Sequence, residues 1–124
     1  MEILDPMKTA STLSLIFATA LLSTPSHADD STPLVELCEQ YMALPKGGEV
    51  TSDFIQLKSS CAGFLNSHVK MSKPEDGFCL PKGYSMDDLP VAYLAWVKKN
   101  PARVSEPTKI TMTEALSEVY PCPK

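Results

Sequence analysis

Four cysteines, Cys38, Cys61, Cys79 and Cys122, stand in a chain of 124 residues whose first 28 read as an export signal. An even cysteine count in a small exported domain reads as a disulfide framework, here two bridges. The export reading rests on residue order. Lys8 precedes an uncharged stretch from Thr9 to Ser26 that contains Leu13, Leu15, Ile16, Phe17, Leu21 and Leu22, and Ser26-His27-Ala28 places small residues at −3 and −1 before Asp29. A basic start, an apolar middle and a small-residue cleavage site make a secretory signal. The acidic MEILDP opening is atypical, so Met7 is a second candidate start. An uncleaved anchor is the competing reading, but the apolar stretch is short against the ~20 residues of a membrane span. Lipid attachment is disfavoured, since Cys38 lies ten residues past the cut and Glu36 occupies a position that needs a small side chain.

The expected mature chain, residues 29–124, is long enough for one small domain with one core. Loss of Glu2, Asp5 and Lys8 with the signal leaves a net charge of −3, with both signs interspersed. No basic stripe points to nucleic acid, and no Lys/Arg-rich amphipathic helix points to a membrane surface after signal cleavage.

Prolines divide this domain into four helical segments, and no sustained period-2 run argues for a sheet beyond a short pair. The fold expected is all-α, a compact domain of about four to five helices stapled by two disulfides. The first helix opens with Thr32 as N-cap and Pro33 at the first helical position, carries Leu34, Leu37, Cys38 and Tyr41 on one stripe, and ends at Pro45 and Gly47-Gly48. The second opens near Thr51 to Asp53 and carries Phe54, Leu57, Cys61, Phe64, Leu65 and His68 before stopping ahead of Pro74. Gly63 inside it costs about 1 kcal/mol relative to alanine and is read as a close approach of a neighbouring helix. The third has Ser85 as candidate N-cap with Asp88 three residues on, a stripe of Leu89, Tyr93, Trp96 and Val97, and Pro90 within its first turns. The fourth starts at Ser105-Glu106-Pro107 and runs to about Val119, with Met112, Leu116 and Val119 on one face.

Four cysteines allow three pairings. Cys38 and Cys61 lie on the apolar stripes of the first two helices, whereas Cys79 precedes the third and Cys122 follows the fourth. If the last two helices form an antiparallel hairpin, its open ends meet. The expected pairs are therefore Cys38–Cys61 and Cys79–Cys122, each contributing roughly 3–4 kcal/mol in the chain-entropy account.

Paired cysteines leave little catalytic chemistry. The single histidine of the mature chain, His68, falls on an apolar stripe and reads as a satisfied or half-buried residue; a Cys–His nucleophile would need a free thiolate. The cysteines are separated by 22, 17 and 42 residues with no CxxC or HxxxH pair, so no metal and no cofactor is expected. Asp29-Asp30, Glu75-Asp76 and Asp87-Asp88 read as solvated turn and helix-start charges. No catalytic residue is assigned.

One further pattern is more specific. Phe78-Cys79-Leu80-Pro81, Gly83, Leu89, Tyr93-Leu94, Asn100-Pro101, Glu106-Pro107, Ala115-Leu116 and Tyr120-Pro121-Cys122 succeed one another, with Cys61-Ala62-Gly63-Phe64-Leu65 upstream. This pattern, about two thirds of the mature chain, resembles the Rap/Tai-type immunity proteins that act against type VI secretion amidase effectors. Pro90 departs from it, at a position where a non-proline helix residue is usual. The resemblance implies a small helical periplasmic protein, a homodimer, whose cognate partner is a peptidoglycan-cleaving cysteine amidase. It implies inhibition by plugging that enzyme's active-site groove, with no chemistry by this chain.

Plugging a groove favours a projecting loop, and two are available: Pro45 to Ser52, with Lys46, Gly47, Gly48 and Glu49, and Met71 to Asp76, with Lys73 and Glu75. Asn100–Pro107 reads as a fold-determining bend. The alternative functional class is a periplasmic holdase or general interaction module, which would differ in binding many unfolded clients.

Overall fold

The computed structural model describes residues 30–124; the expected signal, residues 1–28, lies outside the described residues. Four helices form the domain. Helix α1 is Thr32–Met42; α2 covers 52–71 as an α-helical Ser52–Lys58, a π-helical turn Ser59–Gly63 and an α-helical Phe64–Met71; α3 is Asp88–Lys99 and α4 is Thr108–Val119. Among the described residues there is no strand, only isolated antiparallel bridges between Asp30 and Pro107 and between Phe78 and Pro121. The two disulfides are Cys38–Cys61, joining α1 to the π turn of α2, and Cys79–Cys122, joining the two open ends of the α3–α4 hairpin. The pairing and the all-α class match the expectation. No helix among the described residues is long and apolar enough to cross a membrane. The two disulfides are compatible with a secreted or periplasmic protein.

The core collects Leu34, Cys38, Cys61, Leu65, Leu89, Tyr93, Trp96, Met112 and Leu116 from all four helices. Three apolar residues of the expected stripes lie outside it: Leu37, whose place in α1 is taken by the buried Val35, and Phe64 and Val119. Phe64 is 47% exposed, because the π turn adds a residue to one helical turn and rotates the residues beyond it, so that Cys61, Ala62 and Leu65 face inward. The same turn corrects the reading of Gly63: a Cβ there would meet only the Lys58 carbonyl, at an ordinary 3.7 Å, and no neighbouring helix presses on it. Val119 is 46% exposed in the last turn of α4, where Tyr120 packs against the core instead.

The helix starts are also shifted from their sequence signals. Thr32 is not the cap of α1; it is the first helical residue, after Ser31, and its N–H and hydroxyl both donate to Asp30 Oδ1, at 2.7 and 2.6 Å. Helix α3 begins at Asp88 with Asp87 as N-cap, rather than from a cap at Ser85. The reason is Pro90, which has no N–H to donate to the Met86 carbonyl and whose ring would clash with it, so regular α geometry cannot start earlier. Ser85 still takes part, its N–H donating to Asp88 Oδ2 at 3.3 Å and its Oγ accepting from Asp87 N at 3.2 Å. Helix α4 begins at Thr108, because residues 101–105 form a separate 3₁₀ turn, Pro101–Ser105.

That turn is clamped from both sides. Arg103 donates from Nε and Nη2 to the two carboxylate oxygens of Glu106, at 2.6 and 2.9 Å, pairs through Nη1 with Glu114 on α4, and lies over the Trp96 ring with its Cζ 5.2 Å from the centroid. Ser31 enters underneath: its N–H donates to the Val104 carbonyl at 3.0 Å and its Oγ to the Glu106 carbonyl at 2.7 Å. The start of α1 is thereby held against the bend that joins α3 to α4.

Candidate functional site

Helix α1 ends in a turn whose Ala43 and Leu44 N–H groups donate to Glu39 and Tyr41 carbonyls, after which Pro45 prevents continuation. Gly47 turns the chain with φ +80°, in the left-handed region that glycine adopts without strain, and nothing lies within 4 Å of where its Cβ would be. Thr51 closes the segment by accepting from Phe54 N at 3.1 Å as the N-cap of α2. Between these ends Lys46, Gly47, Gly48 and Glu49 are all exposed, and they overhang a groove of about 520 Å³. Its floor is apolar, with the Tyr41 and Phe54 rings 5.8 Å apart; Val50 and Val91 also line it, and Asp87 and Asp88 stand at the start of α3. The buried Tyr41 hydroxyl donates to Asp87 Oδ1 at 2.7 Å. Burial first, and the adjacent Asp87 carboxylate second, push the phenol up to about 12, so it stays a protonated donor.

The second candidate loop is a different kind of structure. Lys73 and Glu75 are exposed, but they sit on a short 3₁₀ turn, Pro74–Asp76, in which Asp76 Oδ2 accepts from Lys73 N at 2.8 Å and Gly77 closes with φ +101°. A Cβ on Gly77 would meet Ser117 Oγ at 3.1 Å, so this turn is pressed against α4. The two loops lie at opposite ends of α2. Twenty helical residues at about 1.5 Å each put them roughly 30 Å apart, so the fold does not bring Lys46–Glu49 and Lys73–Glu75 into one contact patch. The groove beneath the first loop draws on Asp87 and Val91, far along the chain, which no local signal connects with it.

His68 is half-buried and satisfied, as its place on the stripe of α2 leads one to expect. Its Nε2 is 3.0 Å from Thr113 Oγ1 on α4, and its ring stacks on Phe78 with centroids 5.9 Å apart. Burial lowers its pKa below the usual 6.5; Asp76 opposes that shift and Lys109 adds to it. All four sulfurs are in disulfides, which leaves His68 no thiolate to activate and leaves no thiolate for a metal.

The profile of the Rap1a immunity proteins matches residues 30–122. The chain belongs to that family. Neither the curated proteins nor the solved structures supply a match. The matched span takes in both disulfides, both loops and the whole groove. Membership in the Rap1a immunity proteins assigns the chain, at the level of the family, to immunity against a secreted toxin, with a toxin protein as the partner it binds. It points to an inhibitor rather than an enzyme. The exposed loop and its apolar groove in this Rap1a domain are braced by Cys38–Cys61, one helical turn before Tyr41.

Proposed function

We propose that this Rap1a protein is a periplasmic immunity protein that binds a peptidoglycan-cleaving cysteine amidase delivered by type VI secretion and covers its active-site groove. The chain performs no reaction; it acts stoichiometrically, as a homodimer released by removal of residues 1–28. The observation that carries this reading is family membership over residues 30–122. The Lys46–Glu49 loop supplies the contact: it is exposed, its glycines offer little bulk, and both its ends are fixed by α1 and by the Thr51 cap. Lys73 and Glu75 supply no part of the same contact, being at the far end of α2.

The test is protection. Cells that direct peptidoglycan-cleaving cysteine amidases to the periplasm are co-transformed with the wild-type chain or with a variant carrying Lys46→Ala and Glu49→Ala, and lysis is monitored. Wild type is expected to prevent lysis by one such enzyme and to co-purify with it at equal stoichiometry, while the variant folds normally and protects less. Absence of protection and of any complex across the amidases would refute the reading. Indiscriminate retention of unfolded proteins would support the holdase class in its place.

A further inference from the structure

We infer that the groove beneath the 43–51 loop receives a segment of the toxin that presents an apolar side chain next to a lysine or arginine. The inference rests on the immunity reading for the partner's being the toxin, and adds the chemistry of the segment that enters. The apolar half comes from the lining. Val50 and Val91 are 70% and 54% exposed beside Tyr41 and Phe54, so this groove offers apolar area that folding leaves in water.

The cationic half comes from the rim, where Glu49, Asp87 and Asp88 face a single ammonium, that of Lys46. Two of these carboxylates are already oriented. Asp87 uses Oδ1 to accept from Tyr41, and Asp88 uses Oδ2 to accept from Ser85 N. The second oxygen of each has no partner among the described residues. A protonated Tyr41 cannot itself offset their charge beyond that one bond. An acidic segment covering the groove would meet repulsion, and a wholly apolar one would strip water from carboxylates without replacing it. A guanidinium or ammonium beside the inserted apolar group offsets this negative lining, and a guanidinium can give two donors to a single carboxylate.

The test uses two capped tetrapeptides as probes, Gly-Leu-Arg-Gly and Gly-Leu-Glu-Gly, titrated into the isotope-labelled mature chain while the methyl signals of Val50 and Val91 are monitored by NMR. The arginine peptide is expected to shift both residues saturably, more weakly at high salt, and the glutamate peptide to leave them unmoved. A chain carrying Asp87→Asn and Glu49→Gln, in which the carboxamide oxygen at position 87 can still accept from Tyr41, should bind the arginine peptide about threefold or more weakly with unchanged melting temperature. Equal response to the two peptides, response to neither, or unchanged affinity in the carboxamide variant overturns the inference. The amidase assay is separate: a chain that protects cells but ignores the arginine peptide keeps the immunity reading and loses this one, and a chain that binds the peptide without protecting keeps the groove's preference and loses the toxin as its occupant.

Discussion

Replacing Thr111 by valine should destabilise the domain by far more than the loss of one surface hydroxyl. Thr111, Ser31 and Tyr93 are all wholly buried, with Thr111 Oγ1 at 2.8 Å from Ser31 Oγ and 2.9 Å from the Tyr93 hydroxyl. Counting protons sets the direction of these bonds. Ser31 has one hydroxyl proton, directed at the Glu106 carbonyl at 2.7 Å, so Thr111 must donate to Ser31. Tyr93, whose phenol is pushed up by burial and remains protonated, then donates to Thr111. The 3.1 Å approach of Thr111 Oγ1 to the Thr108 carbonyl competes for the same proton. Valine keeps the shape but takes away the acceptor 2.9 Å from the buried Tyr93 hydroxyl and the donor to Ser31, for a total of about 2–3 kcal/mol. In a domain of this size that lowers Tm by roughly 10–20 °C. Tyr93→Phe removes the phenol and orphans nothing, so it should cost only about 1 kcal/mol. The pair Tyr93→Phe with Thr111→Val should therefore cost clearly less than the sum of the singles. Urea unfolding with disulfides intact measures all three. A Thr111→Val protein within about 0.5 kcal/mol of wild type, or strict additivity in the double variant, refutes the proton relay.

The two cystines should separate on reduction: Cys38 and Cys61 are wholly buried while Cys79 and Cys122 are partly exposed, so limited reductant followed by alkylation should label Cys79 and Cys122 first, as read by peptide mass mapping. Removing either pair by alanine should nonetheless cost similar stability in chemical denaturation, about 3.5 kcal/mol for the 23-residue separation and about 4 kcal/mol for the 43-residue one. Gly77→Ala forces a side chain into φ +101° with its Cβ 3.1 Å from Ser117 Oγ and should lower stability by about 1–2 kcal/mol, whereas Gly48→Ala, at ordinary φ and 3.9 Å from the Pro45 carbonyl, should be near neutral. Because burial lowers the folded-state pKa of His68, its stabilising contribution is complete above the unfolded value of 6.5 and is lost as pH falls from there through the folded value; a Tm–pH profile should show that decline, and His68→Gln should flatten it.

The disulfide pairing is legible in the sequence because it depends only on which helices the cysteines lie in or flank, and the prolines at 45, 74, 101 and 107 bound those helices well. The π turn is not, since no local residue signals a five-residue turn and a 3.6-residue period carries Phe64 and Gly63 to the wrong faces. The Ser85 start of α3 fails for a different reason: a good cap signal loses to Pro90, five residues on, which removes a donor that the longer helix requires. Ser31 and Thr111 stay hidden because hydroxyl residues at helix starts read as caps, while Ser31 spends its hydroxyl on partners 75 and 80 positions away. The candidate site divides in the same manner. Lys46 to Glu49 are legible as an exposed loop from Pro45 and the glycine pair. The groove they overhang is not, because Tyr41 and Asp87 meet across 46 positions.

Inhibition by occlusion, as proposed for this chain, depends on presenting a fixed shape, since each side chain that must be ordered on contact costs about 0.5–1.5 kcal/mol of the affinity it could otherwise supply. Here the fixing is distributed. Cys38–Cys61 ties α1 to α2, the Tyr41–Asp87 bond ties the end of α1 to the start of α3, and Arg103 with the Ser31–Thr111–Tyr93 relay holds the opposite end of the molecule. Between these ties the exposed loop is short: five residues from Lys46 to Val50, turning at Gly47 between two anchored helix ends. Most of the ordering cost of the proposed groove-filling contact is thus met during folding, because both helix ends that carry the loop are already tied.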